Sequence, residues 1–179
     1  IPADYDRLMS VRMATLADVA AIARVQVASW DGAYRSLMPA QIFEQVTEAR
    51  RIRQWSRYFE NPAPLSALLV AEEPPGAIVG MANVGPNRST DAADLLVGEV
   101  YAIYVDPPHW DVGHGRALMQ SSLEFMVDAG FRSATLWVLD RNERGRNFYE
   151  AGGWVRDGGV QIDESFGEPL REVRYRIEL

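Results

Sequence analysis

The chain has 179 residues, 47% apolar and 24% charged, a length and balance that suit one soluble domain, 1–179, with a core of its own. It has no cysteine, and all 18 basic residues are arginine. That excludes disulfide frameworks, thiolate metal sites, cysteine nucleophiles, lysine Schiff bases and the lysine of a Walker-type phosphate loop. The net charge of −7 argues against a nucleic-acid partner and suits a cationic substrate. No apolar run nears the ~18 residues of a membrane span, and the first residues lack a signal peptide's layout, so a cytoplasmic protein without a membrane partner is expected.

In chain order, residues 8–13 read as a short first strand. Thr15 or Asp18 caps a helix running to about Trp30, with Val19, Ile22, Ala23 and Val27 on its apolar face. Pro39 opens a second helix that buries Ile42, Phe43 and Val46 and turns Arg50, Arg51, Arg53 and Arg57 mostly to solvent. Asn61, Pro62 and Pro64 break it ahead of a strand at 66–71. A tight connection at 72–76 leads into a strand at 77–84, and 86–94 is a polar, mobile loop. Residues 95–105 form a long β-rich run stopped by Pro107 and Pro108. The helix at 115–129 carries Met119, Leu123 and Met126 at helical spacing and ends on Gly130. A buried strand at 133–139, a short helix at 141–151 and strands at 155–162 and 171–177 complete the chain. This order predicts an α/β fold, a mixed sheet with helices on both faces.

The segment 100–119 carries the chemistry: a strand ends, a loop follows, and Gly113-His114-Gly115 leads into a helix. Glycines there let backbone approach a ligand, and the first N–H groups of a helix lack internal partners, which suits a pyrophosphate. An ordinary strand-to-helix turn explains the same glycines. A dinucleotide fold is disfavoured, although Asp140 ends the next strand: Leu118 stands at the third glycine position, and the loop from Val105 to Gly113 is longer than a tight turn. His109 and His114 lie in a loop without a metal-ligand or nucleophile motif, and no metal is expected.

Trp110 to Gly115 resembles motif A of the GNAT acetyltransferases, Gln/Arg-x-x-Gly-x-Gly/Ala, with Arg116 and Ala117 following in place. Residues 142–154 resemble motif B through Asn142, Phe148, Tyr149, Glu150 and Gly153, with Gly145 for alanine and Trp154 for phenylalanine. Residues 11–39 are similar to the first strand and paired helices of many bacterial members, so the resemblance covers nearly the whole chain. It departs at Trp110, which stands for the glutamine or arginine. Asp111 would repel a pyrophosphate unless its carboxylate points to solvent.

The resemblance implies a mostly antiparallel sheet of about seven strands with a splayed central pair, binding acetyl-CoA (acetyl-coenzyme A). Backbone of Ile103, Tyr104 and Val105 would pair with the pantetheine arm, and one N–H of this run would polarise the thioester carbonyl. Val112, Gly113, His114, Gly115, Arg116 and Ala117 would form the pyrophosphate loop. Asn142 would hold the cofactor near the second strand or cap its helix, and the two roles are compatible. Glu99 is the candidate base, directly or through water, and Tyr149 the general acid. Trp30 and Tyr34 either line the acceptor pocket or pack in the core. Arg141, Arg144 and Arg146 either meet the 3′-phosphate or form a solvated face. The implied reaction is acetyl transfer to an amine of a small molecule or protein. The alternative is a CoA-binding module without catalysis, against which Glu99 and Tyr149 argue. The last two strands offer an edge for a homodimer.

Overall fold

The computed structural model describes residues 9–88 and 96–179. Leu8, Leu95 and the greater part of the expected loop at 86–94 lie outside the described residues. Seven strands form one sheet in the order β1-β2-β3-β4-β5-β7-β6. They are β1 Ser10–Met13, β2 Ala67–Glu73, β3 Ala77–Pro86, β4 Val97–Val105, β5 Ser133–Leu139, β6 Val155–Asp163 and β7 Leu170–Glu178. Neighbours are antiparallel except β4 and β5. The helices are α1 Val19–Tyr34, α2 Ala40–Phe43, α3 Glu48–Glu60, α4 His114–Asp128 and α5 Glu143–Ala151. Among the described residues, no helix is long and apolar enough to cross a membrane.

β2 and β3 are apolar at nearly every position because helices cover both of their faces. Leu68, Val70, Ile78 and Met81 pack with Val19, Ile22 and Val25 of α1 and Trp55 of α3. Ala67, Leu69, Val79, Ala82 and Val84 pack on the opposite face with Leu118, Met119 and Met126 of α4. Trp55 also donates to Gln26 Oε1 at 2.9 Å, which ties α3 to α1.

Three sequence expectations change. The helix opened by Pro39 is two helices, because the chain turns at 44–46 and Thr47 caps α3 by accepting from Arg50 N. Arg51 is not on the outward face: it is half-buried, with its guanidinium 5.6 Å from the Trp30 ring centre, and burial lowers its pKa. α1 runs one turn past Trp30 and so brings Tyr34 to the centre of the sheet.

The centre of the sheet is irregular. Asn83 of β3 pairs with Ala102 and Val84 with Val100, which leaves Tyr101 as an extra residue in β4. Such a bulge bends its strand and increases the twist. Pairing of β4 with β5 runs from Val97 and Ser133 to Val100 and Leu136 and stops there. β4 stays on β3 out to Val105, and β5 stays on β7 out to Leu139. The two strands therefore part after Val100, and residues 101–105 keep an edge that, among the described residues, no strand pairs.

Candidate active site

The gap between β4 and β5 opens into a cleft of about 1370 Å³. Ile103, Tyr104 and Val105 form one wall, Gly113, Gly115 and Arg116 the floor at the start of α4, and Tyr34, Asn142 and Tyr149 the far side. These sequence candidates therefore meet at one place. Val112, His114, Ala117, Glu99 and Trp30 do not line it.

Gly113 caps α4 with φ at 109°, a conformation that side-chain-bearing residues rarely adopt. Among the described residues, no partner takes the N–H groups of His114, Gly115 and Arg116, the first three of the helix. The Ala117 N–H donates to Gly113 O at 3.0 Å, so the fourth group is used within the helix. His114 turns beneath the loop: it is fully buried, with Nε2 2.7 Å from Oε1 of Glu73 at the end of β2. The other Glu73 oxygen lies 3.8 Å from His109 Nε2, so the carboxylate sits between the two histidines and hydrogen-bonds His114.

Trp110 has a different task from the residue it replaces. Its Nε1 donates to Val105 O at 2.7 Å and braces the end of β4. Arg144 of α5 lies over the indole, 4.3 Å from the ring centre, and donates to Asp111 Oδ1 at 2.8 Å. The Asp111 carboxylate is thus paired with a cation and mostly solvent-exposed. Of the three arginines proposed for a phosphate, only Arg144 lines the cleft.

On the far side, Asn142 Oδ1 accepts from Gly145 N at 2.9 Å and caps α5, while its Nδ2 is 3.4 Å from the Tyr34 hydroxyl. Burial raises the pKa of Tyr149, and the nearby Tyr104 adds to it, so its hydroxyl is protonated at neutral pH. Burial raises Tyr34 too, with Tyr104 and Tyr149 contributing. Trp30 packs with Ile42, Val46, Leu139 and Leu170 in a core cluster, with Tyr34 edge-on at 5.2 Å. Glu99 is 2% exposed, and Arg88 occupies both of its oxygens: the guanidinium at 2.7 Å and the backbone N–H at 2.8 Å.

Sequence reasoning missed the Trp110–Arg144–Asp111 stack, the Glu73 clamp and the Arg88–Glu99 pair. The clamp joins residues 41 apart in the chain, and no local pattern announces it.

The family model described as "Acetyltransferase (GNAT) family" matches residues 30–154. The uncharacterized N-acetyltransferase YuaI of Bacillus subtilis is 32% identical over 135 residues, 75% of this chain and 74% of that protein. The L-amino acid N-acyltransferase MnaT of Escherichia coli is 27% identical over 96% of this chain and 94% of its own. Matches to mycothiol acetyltransferases of several bacteria span only 26–37% of those longer proteins. Among solved structures, yncA of Salmonella typhimurium, described with its cofactor acetyl-CoA, superimposes with a TM-score of 0.71 at 22% identity, covering 96% of this chain and 94% of that one. This chain belongs to the acetyltransferase (GNAT) family. Its class is accordingly that of an acyltransferase, and the mixed α/β fold with a parted central pair stands as expected.

Proposed function

We propose that this chain transfers the acetyl group of acetyl-CoA to an amine of a small molecule or protein, in a ternary complex. One observation carries the reading: β4 parts from β5 after Val100, and its unpaired edge leads to a helix start with three unpartnered N–H groups. A long, thin ligand with an anionic middle and an amide-bearing arm fits that arrangement. Relatives named N-acetyltransferase and N-acyltransferase support it, as does a neighbour described with acetyl-CoA.

Bound acetyl-CoA would supply the activated acyl carbon. The N–H groups of His114, Gly115 and Arg116 would hold the pyrophosphate, with Gly113 setting their direction. Backbone of Ile103, Tyr104 and Val105 would pair with the pantetheine arm as a missing strand would, and one N–H of this run would stabilise the developing oxyanion. Asn142 would hold the cofactor near β5, Tyr34 would line the acceptor side, and Tyr149 would protonate the departing sulfur. A chain without cysteine leaves direct attack by the amine as the route. A homodimer through the edge at β6, one of the two outermost strands, and a cytoplasmic setting belong to the same reading.

Acetyl-CoA raises the melting temperature under this reading, whereas NADH and ATP do not. Thiol release then appears with some members of an amine panel. A folded sample with no shift at saturating acetyl-CoA contradicts the proposal.

A further inference from the structure

The N–H groups at the start of α4 offer a phosphate only partial charges. Arg144 of α5 brings a guanidinium to the same cleft, which Trp110, Asp111, Gly113, Gly115 and Arg116 also line. Two of these residues set its position. The guanidinium carbon lies 4.3 Å from the centre of the Trp110 ring, and Nη2 donates to Asp111 Oδ1 at 2.8 Å.

The platform is fixed, whereas the ion pair is loose. Trp110 spends its one donor on Val105 O at 2.7 Å. The far end of its indole lies against Gly32 of α1, where a Cβ would meet Cη2 at 3.0 Å. The ring is thus held from both ends, and its free face carries the guanidinium. The Asp111 side chain, by contrast, is 81% exposed and that of Arg144 48%, so water and salt screen their pair. Asp111 also precedes Gly113 by two residues, a span of at most about 7 Å. A phosphate on the N–H groups of residues 114–116 therefore comes close to where Arg144 already meets a carboxylate.

We infer that Arg144 binds a phosphate of acetyl-CoA, with Trp110 as its platform and Asp111 as the anion it gives up when the cofactor enters. This rests on the acetyl-transfer reading above. Asp111 takes one N–H of the guanidinium, whereas a phosphate can accept two from its planar fork. The exchange costs little, because the released carboxylate returns to water that already surrounds it. Neighbouring arginines do not share the task. Arg146 lies 3.8 Å from Asp140, and neither it nor Arg141 lines the cleft. The pyrophosphate and the ribose 3′-phosphate offer Arg144 the same chemistry, and a cofactor without the 3′-phosphate tells them apart.

Calorimetric titration of acetyl-CoA compares wild type, Arg144→Gln, Asp111→Asn and the control Arg141→Gln, each checked by melting curve. Arg144→Gln is expected to bind ~10–100-fold more weakly, with a shallower dependence on salt. It should raise KM for acetyl-CoA and leave kcat within about threefold of wild type, because the contact is the same before and during the reaction. Asp111→Asn keeps Arg144 and removes its competing anion, so affinity should hold or rise by up to ~5-fold. Arg141→Gln removes the same charge from an exposed position and should stay within about threefold of wild type. Acetyl-dephospho-CoA then locates the contact. Equal weakening of both ligands by Arg144→Gln assigns it to the pyrophosphate, and weakening of acetyl-CoA alone to the 3′-phosphate. A folded Arg144→Gln that binds acetyl-CoA within about threefold of wild type overturns the inference. So does a loss beyond about threefold in Asp111→Asn, which makes the ion pair a brace of the loop, or equal losses in Arg141→Gln and Arg144→Gln. Wild type that binds no acetyl-CoA overturns the acetyl-transfer reading itself, and this inference with it.

Discussion

Gly113→Ala and Gly130→Ala form a matched pair that separates backbone strain from ligand holding. Both glycines have positive φ, 109° and 91°, and nothing lies within 4 Å of the Cβ that either would gain. Each substitution therefore costs conformational energy alone, about 1–2 kcal/mol, which in a chain of this size lowers the melting temperature by roughly 2–8 °C. The positions differ in function. Gly130 follows the C-terminus of α4, whereas Gly113 sets the direction of the three unpartnered N–H groups at its start. If relief of strain at 113 tilts one N–H off a phosphate, the loss of one charge-assisted bond is about 1.5–3 kcal/mol, or ~10–100-fold in affinity. Calorimetric titration of acetyl-CoA into both variants, beside their melting curves, is the assay. Similar destabilisation with weakened binding only in Gly113→Ala is expected. Unchanged binding in a folded Gly113→Ala, or equal weakening in both, refutes the assignment of the anion site.

Tyr149→Phe should lower the single-turnover rate by ~10²–10⁴ with little change in acetyl-CoA binding or melting temperature; a folded variant with an unchanged chemical step removes Tyr149 from the reaction. Gly145→Ala places a Cβ 2.6 Å from Asn142 Nδ2 and so displaces that side chain. About 1 kcal/mol of capping energy should be lost and acetyl-CoA binding weakened; a variant as stable and as tight-binding as wild type contradicts the cap. Asp18 accepts from Arg12 and Thr15, and the Arg12 guanidinium holds its carboxyl at about 2, below the usual 3.8. Its contribution is therefore present above pH ~4 and lost as pH falls through ~2. Asp18→Asn should cost about 1–2 kcal/mol at pH 7, with the difference from wild type shrinking below pH 4 in urea titrations. A difference that does not change with pH contradicts the ion pair.

Element order was legible because the signals are local. Prolines 107 and 108 stop β4, Gly130 ends α4, and apolar residues recur at helical spacing in α1 and α4. Sheet order was not legible, since nothing within residues 155–177 says that β7 inserts between β5 and β6. The division of α2 from α3 was hidden because Ile42 and Val46 keep an apolar spacing across the turn, and only Thr47 marks the new start. The arginine run reads as solvated by composition, yet α3 packs beneath α1 and turns Arg51 towards Trp30. At the site, the glycine loop and motif positions brought Gly113, Gly115, Arg116, Asn142 and Tyr149 to one cleft. The partners that decide what charged groups can do lie far off in sequence or across the sheet. Arg88, just past the end of β3, occupies Glu99 from eleven residues away in the chain.

Amide hydrogen exchange with and without acetyl-CoA tests the central claim most directly. The account predicts slowed exchange on binding in residues 103–105 and 114–116, where strand edge and helix start would both gain partners. Protection confined to other segments, or none at saturating acetyl-CoA, would contradict it.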